Sequence, residues 1–416
     1  MEAIGVRIVS DPDAALLALA FIGLGIALGT LTGLTPGLHV NTVAVVLGAV
    51  AADVPGPPHL VGASMLAAGV THSFLDVIPT LAIGVPDAAM AVTALPGHRL
   101  VLGGRGREAL RLSTLGSASA ILAAVVLGLP VTMAMRTVAP VIDRYLAVVL
   151  GAVAVVLLAT ERGARATVGA VLSLVASGLL GVATLDLQTG GFAPGGNTLL
   201  PLLSGLFGIP VLVYASDGEG LPPQGSPTVA AAPRTVVGWG FVGAVAGAIV
   251  AYVPGISAAV AAALSFALVP RDTGARGFVT TVSGVNTGNA IFALFALVAM
   301  GSPRTGVLVA FERARLPPNV PLLLVAIALA AAVSVLLVPT LGDRYLAVVG
   351  VLDSRHLTAG VVVLVVGLVG LTTGVVGIGL LGIASVVGLL PVRYGARRVH
   401  LMGVLLVPLA VRSVTG

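Results

Sequence analysis

The fold of this chain is decided by two apolar stretches, GTLTGLTPGLHVNTVAVVLGAV (Gly29–Val50) and GAIVAYVPGISAAVAAALSFAL (Gly247–Leu268). Each carries a Pro-Gly pair near its middle. Proline lacks a backbone N–H and glycine accepts a tight turn with positive φ, so each pair predicts a break between two helices. Irregular backbone survives inside a membrane only where protein or a wet cavity surrounds it. The two stretches therefore predict broken or re-entrant helices in a membrane protein.

The composition is that of a polytopic membrane protein. Of the 416 residues, 57% are hydrophobic and 9% are charged, against about 25% charged residues in an average soluble domain. Apolar runs punctuated by glycine, proline and arginine recur along the whole chain. Several runs are shorter than a straight span, so we expect an all-α polytopic protein of the cell membrane with about 10–12 transmembrane segments, some broken or re-entrant.

The charged residues indicate a membrane rather than a nucleic acid as the partner. The 21 basic residues are all arginine, and the formal net charge is +5. They lie between the apolar runs, which is where membrane topology places positive charge. We therefore expect contact with the lipid bilayer and no binding of nucleic acid.

Internal matches predict that the chain is duplicated. Pro36-Gly37 aligns with Pro254-Gly255, and Gly84-Val85-Pro86 aligns with Gly301-Ser302-Pro303 at nearly the same offset. The heptapeptide DRYLAVV occurs at Asp143–Val149 and again at Asp343–Val349. Two membrane repeats with interrupted helices at matching positions are typical of a secondary transporter whose site lies near the bilayer midplane.

A polar segment divides the two predicted repeats. DGEGLPPQGSPTVAAAPR, Asp217–Arg234, is rich in proline, glycine and serine, which is typical of a linker. We therefore predict a first membrane repeat over residues 1–216, a linker over 217–235 and a second repeat over 236–416. The arginine clusters Arg99–Arg111 and Arg304–Arg315 follow the same motif in each half. The repeats are parallel if both clusters are cytoplasmic, but one cluster could line a substrate path instead, so both orientations stay open.

The sequence predicts no catalytic centre. Cysteine is absent, which excludes disulfides, thiolate metal sites and a cysteine nucleophile. Walker A, His-Glu-x-x-His, Gly-x-Ser-x-Gly and dinucleotide-binding patterns are missing, and the six histidines show no metal-ligand spacing. We expect neither an enzyme nor a bound cofactor or metal.

The two Pro-Gly tips are the first candidates for a binding site. A helix broken there exposes backbone N–H groups that attract anions, while free carbonyls on the other side can hold Na⁺. An ordinary kink or a short loop is the alternative. The predicted substrate-binding residues at the tips are Thr35, Pro36, Gly37, Asn41, Pro254, Gly255 and Ser257.

Polar side chains within apolar runs form a second group of candidates. His72 and Asp76 share one helix face, and a carboxylate at membrane depth is costly unless it is paired, hydrated or protonated. We predict that they couple ion movement, the alternative being that Asp76 caps a helix or pairs with an arginine. In the second half, Asn286 and Asn289 can hydrogen-bond a carboxylate or ligate Na⁺, the alternative being hydrogen bonding between helices.

Asp87 and Arg304 occupy equivalent positions after the two Gly-x-Pro turns. Opposite charges at symmetric positions can pair with each other across the repeats. Arg304 can instead hold an anionic substrate through two hydrogen bonds, and either residue can be a plain loop charge. We predict that Arg304 binds the substrate and that Asp87 couples ion movement.

Four stretches resemble the large permease subunit of the tripartite tricarboxylate transporters, the TctA-like family. They are GLTPGLHVNTVAVVL (Gly33–Leu47), IGVPDAAMAVTALPGHRLVLGGRGREALRLSTLGS (Ile83–Ser117), the segment Leu179–Val213 with its Gly-Leu-Phe motif, and the pair YVPGISAAVAAALSFA and GVNTGNAIFALFALVAMGSPRTGVLV. The resemblance implies a permease that receives an organic carboxylate from an extracytoplasmic substrate-binding protein, works with a small membrane subunit and uses an ion gradient.

The expected function is therefore secondary-active transport of a small organic anion, a di- or tricarboxylate, coupled to Na⁺ or H⁺. The alternative is a transporter or flippase of a lipid-linked phosphate of the polyprenyl phosphate type. A phosphate headgroup suits the Gly-rich tips and the arginines as well as a carboxylate does.

Overall fold

The computed structural model describes residues 2–3, 6–7, 11–36, 38, 40–84, 94–192, 198–215, 221–265, 274–301, 303 and 305–415. Two short strands, β1 (Glu2–Ala3) and β2 (Val6–Arg7), pair antiparallel at the N-terminus. Helices make up nearly all of the remaining described structure.

The helices up to the linker include both long and short elements. They are α1 (Pro12–Gly33), α2 (Val40–Val50), α3 (Pro58–Leu75), α4 (Val77–Ile83), α5 (Ala94–Leu102), α6 (Gly106–Arg144), α7 (Leu146–Ala159), α8 (Ala164–Thr184), α9 (Leu199–Leu203) and α10 (Ile209–Ala215). One π-helical turn, Ser204–Gly208, joins α9 to α10.

The helices after the linker begin with a similar order. They are α11 (Pro233–Tyr252), α12 (Ala258–Ser265), α13 (Gly274–Met300), α14 (Gly306–Arg313), α15 (Val320–Val351), α16 (Ser354–Gly388), α17 (Leu390–Tyr394) and α18 (Gly403–Thr415). A 3₁₀ segment, Arg398–Met402, leads into α18. In both halves a long helix, a short helix and a second long element follow one another, although the division into two repeats stays a prediction.

Nine helical segments within the described ranges are long and apolar enough to cross a membrane, and two shorter apolar segments lie at Leu146–Ala159 and Leu199–Val213. The prediction of an all-α polytopic membrane protein is confirmed. The segment Pro58–Ile83 is almost wholly buried, whereas Pro12–Gly33 and Gly106–Arg144 are mostly exposed along their apolar windows. The core is thus built around α3 and α4, and the exposed leucines and valines of the outer helices form a surface suited to lipid.

Glycines bring two pairs of helices into close contact. A Cβ at Gly25 would lie 2.2 Å from the carbonyl oxygen of Ser64, so α1 packs directly on the backbone of α3. A Cβ at Gly243 would lie 2.4 Å from the carbonyl oxygen of Thr281, so α11 packs on α13 in the same way. Small residues at a helix interface let backbones approach closely, which is how helices associate in lipid. Further packing crosses the predicted halves, because α13 lies along α6 and α3 lies along α15.

The described part of the linker, residues 221–232, is attached to the turn between α5 and α6. The side chain of Gln224 accepts a hydrogen bond from the backbone N–H of Gly106 at 2.7 Å and donates to the carbonyl of Val101 at 3.0 Å. Ala230 donates its backbone N–H to Glu108. Polar and proline-rich sequence therefore forms a strap that fixes the start of α6.

Candidate functional site

A cavity of about 250 Å³ lies where the two short helices α2 and α12 begin. Val40, the first residue of α2, and Ala258, the first residue of α12, both line it. The remaining walls come from α3, α9, α11, α13, α14 and the segment leading into α18. Residues that follow the first and the second Pro-Gly tip thus meet at one cavity.

The second tip closes one side of this cavity. Gly255 has a φ of +80°, a conformation that strongly favours glycine. Ser257, the next cavity-lining polar residue, accepts a hydrogen bond on Oγ from the backbone N–H of Val260 at 3.3 Å, as helix-capping serines do. Helix N-termini carry a partial positive charge and unpaired N–H groups, so the starts of α2 and α12 make this end of the cavity attractive to anions.

Asn286 on α13 also lines the cavity and connects α13 to α3. Its Nδ2 donates to Oδ2 of Asp76 at 3.0 Å and to the carbonyl oxygen of Ser73 at 3.2 Å. Both partners are acceptors, so the hydrogen-bond pattern fixes the orientation of the amide. Asn289 lines the cavity three residues later, and its Oδ1 is buried with no hydrogen-bond partner among the described residues.

Asp76 lies between α3 and α4, His72 lies one turn earlier in α3, and both are buried. His72 Nδ1 lies 3.0 Å from Oγ1 of Thr32 on α1. Because the Thr32 hydroxyl donates its proton to the carbonyl oxygen of Leu28 at 2.9 Å, it accepts from His72, which assigns a proton to Nδ1 of the imidazole.

The structure thus brings together Gly255, Ser257, Asn286 and Asn289 at the cavity, with Asp76 directly behind Asn286. Three other predicted residues, Thr35, Pro36 and Pro254, are not among its lining residues. The hydroxyl of Thr35 instead donates to the carbonyl of Leu31 at 2.8 Å, at the end of α1.

Four predictions fall outside what the structure describes. Gly37, Asp87 and Arg304 lie outside the described residues, and Asn41 lies in α2 with a side chain that is not described. Their roles stay predictions.

Sequence reasoning missed three polar features of the molecule. Ser73 lines the cavity beside His72, and its place next to a predicted site residue was the available signal. Glu108 is buried and bound by two arginines, Arg105 and Arg276, at 2.9 and 2.7 Å. Glu161 accepts hydrogen bonds from Arg397 and His400, 236 and 239 residues away in the chain. Nothing local in the sequence indicates such distant pairs.

Glu161 lies in the turn between α7 and α8, outside the spanning helices. Burial raises the pKa of Glu161. The hydrogen bonds and the positive charge of its partners lower the pKa by more than burial raises it, so the pKa is below its ordinary value. Within the described ranges, no group of three or more histidine, aspartate or glutamate side chains is placed to hold a metal ion.

This chain is similar to part of a curated protein. An uncharacterized protein of Methanocaldococcus jannaschii is 42% identical over 106 residues, which cover 24% of this chain and 25% of that protein. The matched region thus spans about a quarter of the length of this curated relative. No solved structure matches the chain.

The family described as the tripartite tricarboxylate transporter TctA family matches residues 19–403. The match takes in both Pro-Gly tips, all but one of the residues that line the cavity and most of the spanning helices, so the predicted resemblance is confirmed. The protein is accordingly a multi-pass membrane protein of a transporter family. The chain belongs to the tripartite tricarboxylate transporter TctA family.

Proposed function

We propose that this chain is the permease that carries a small organic anion, a di- or tricarboxylate, across the membrane together with Na⁺ or H⁺. One observation carries the proposal: the helices α2 and α12 both begin at the same cavity, which lies among the spanning helices. Two helix N-termini offer unpaired N–H groups and two positive dipole ends to one ligand. A carboxylate satisfies both without needing a charged side chain.

The size of the cavity supports a small cargo. Its volume of about 250 Å³ lies below the range of about 300–1,000 Å³ that holds drug-sized ligands. A short polycarboxylate is compatible with that space. A polyprenyl phosphate would place only its headgroup there and would need its chain to leave between the helices.

The buried polar residues behind the cavity support ion coupling. Asp76 and His72 are ionisable groups at membrane depth, where such groups commonly mark ion or proton pathways. Asn286 joins Asp76 to the cavity wall by a hydrogen bond of 3.0 Å. An ion bound in the cavity would therefore lie one side chain away from the Asp76 carboxylate.

The family's description as tripartite supports a permease that works with two further proteins. We propose an extracytoplasmic substrate-binding protein and a small membrane subunit as these partners. The chemistry of the cavity fits transport rather than catalysis, since its described lining holds amides, hydroxyls and apolar groups.

The test is ligand stabilisation of the purified protein. A ligand that binds the folded state raises its melting temperature by mass action, so citrate and succinate are expected to raise it and polyprenyl phosphate is not. Ser257→Ala removes a hydroxyl that lines the cavity, and loss of one hydrogen bond to the ligand, worth about 1 kcal/mol, should weaken carboxylate binding about fivefold.

Ser265→Ala is the matched control for this variant. Ser265 lies at the end of the same helix, where its hydroxyl donates to the carbonyl of Ala261 at 2.7 Å, and it does not line the cavity. Carboxylate affinity should be unchanged there. Stabilisation by polyprenyl phosphate alone would replace this proposal with lipid-linked phosphate transport. If the two serine variants changed carboxylate affinity equally, the cavity would not be the binding site.

A further inference from the structure

We infer that the α13 wall of the cavity is a Na⁺ site, formed by the amide oxygens of Asn286 and Asn289. The role of this Na⁺ as a coupling ion rests on the proposed function, since the ion binds in that same cavity. The evidence for the site is separate, because it comes from the hydrogen bonds of two side chains and not from the helix N-termini.

The hydrogen bonds of Asn286 decide which of its atoms can bind a ligand. An asparagine amide has two N–H protons, and here Asp76 Oδ2 and the carbonyl oxygen of Ser73 accept from the same Nδ2. Turning the amide over would set its oxygen against a carboxylate and a carbonyl, so that orientation is disfavoured. With both protons used, only Oδ1 remains for the cavity. That atom repels a carboxylate and attracts a cation.

Asn289 lies on the same face of α13 as Asn286, three residues later. Its Oδ1 is buried and has no hydrogen-bond partner in the described part of the chain. A buried acceptor without a partner is costly, and natural structures contain few of them. A bound cation would satisfy this oxygen and would lie next to Oδ1 of Asn286.

The ligand set favours a monovalent cation. Amide oxygens are hard ligands without charge, whereas Ca²⁺ and Mg²⁺ sites normally use carboxylates as direct ligands. The carboxylate of Asp76 lies behind Asn286 and adds negative potential through the amide. The positive helix ends at Val40 and Ala258 disfavour a cation beside them. Cation and carboxylate therefore bind to different lining residues of one cavity and attract each other.

The test measures Na⁺ alone, without any carboxylate. The purified protein is melted over a range of NaCl concentrations, with KCl and N-methylglucamine chloride holding ionic strength constant. Na⁺ is expected to raise the melting temperature more than K⁺ does. In Asn289→Ala the Na⁺ concentration giving half of this effect should rise at least about tenfold, as for loss of one ligand to a charged group.

Asn289→Ala separates a ligand from a structural residue. Its Oδ1 has no partner to lose among the described residues, so the melting temperature without Na⁺ should be unchanged or slightly higher. Thr287→Ala is the matched control on α13, because Thr287 faces α6 and donates to Ser117 Oγ at 2.8 Å. That variant should be less stable at every salt concentration and should keep its Na⁺ response.

The inference is overturned if Na⁺ and K⁺ stabilise the protein equally, or if Asn289→Ala keeps its Na⁺ affinity. A second variant, Asn289→Asp, should tighten Na⁺ binding because it turns a neutral ligand into an anionic one; weaker binding there would contradict the assignment. Failure of the proposed function would look different. Na⁺ would then stabilise the protein through Asn289, while citrate and succinate would have no effect with or without Na⁺.

Discussion

Replacement of Glu108 by alanine is expected to destabilise the protein about as much as loss of its partner Arg276 and more than loss of Arg105, the third charge in the cluster. The side chain of Glu108 is 1% exposed and lies near the start of α6. It accepts from Nε of Arg276 on α13 at 2.7 Å and from the backbone N–H of Ala230 in the linker at 2.9 Å, and it pairs with Arg105 at 2.9 Å. One carboxylate thus connects α6, α13 and the linker.

The magnitude follows from the exposure of each partner. Removing one member of a buried ion pair costs about 3–5 kcal/mol because the other charge loses its partner. Arg276 is 27% exposed and is partly rescued by water, so Glu108→Ala and Arg276→Ala should each cost about 3 kcal/mol, the lower end of that range. Arg105 is 48% exposed, and Arg105→Ala should cost no more than about 1 kcal/mol.

The assay is equilibrium unfolding of the purified variants in mixed micelles, read by tryptophan fluorescence at the single Trp239. Limited proteolysis within residues 221–232 gives a second readout, since loss of the bond to Ala230 should expose this strap. Two results would refute the reasoning. One is a cost for Arg105→Ala equal to that for Arg276→Ala, and the other is a cost below about 1 kcal/mol for Glu108→Ala, which would match an exposed pair.

Three further predictions test the packing and the remaining ion pairs. Gly243→Ala should cost about 1–3 kcal/mol in the same unfolding assay, because its Cβ would lie 2.4 Å from a carbonyl oxygen of α13, whereas Gly238→Ala meets nothing within 4 Å and should be neutral. Arg111→Lys should cost about 1–2 kcal/mol, because lysine cannot reproduce the two bonds of 2.7 and 2.8 Å to Asp343; equal stability would contradict this. Glu161→Gln should destabilise the protein near neutral pH. Because the folded-state pKa of Glu161 is lowered, its stabilisation is present above its ordinary value of 4.5 and is lost as the pH falls through the folded pKa, so melting curves of wild type and variant should converge in acid.

The helical architecture could be predicted because it depends on local properties of the sequence. The apolar runs set the lengths of the spanning helices, and the Pro-Gly pairs set two of their breaks. Gly84 and Gly301, which the internal match had aligned, both have positive φ where α4 and α13 end. Glycine at such a position has a local cause, since few other residues adopt this conformation.

The contacts of the site could not be predicted in the same way, because they join residues far apart in the chain. Asn286 and Asp76 are 210 residues apart, and a sequence does not say which partner a buried amide will find. The heptapeptide DRYLAVV shows the limit most clearly. Its first copy spans the break between α6 and α7, while its second copy lies wholly within α15, where Asp343 is held by Arg111. Identical local sequence thus takes two structures because the neighbours differ.

Asn286 is placed so that a charge in the cavity acts on the junction between α3 and α4. Asp76 ends α3 and precedes α4, and Asn286 donates to its carboxylate while lining the cavity. A cation on Oδ1 of Asn286 would withdraw electron density from the amide and make its N–H groups stronger donors. The bond to Asp76 would then be tighter in the cation-bound state, and linkage requires that a tighter bond favour cation binding in return. The same side chain that selects the ion would thereby hold α13 against the end of α3, which connects binding to the position of two helices that line the cavity.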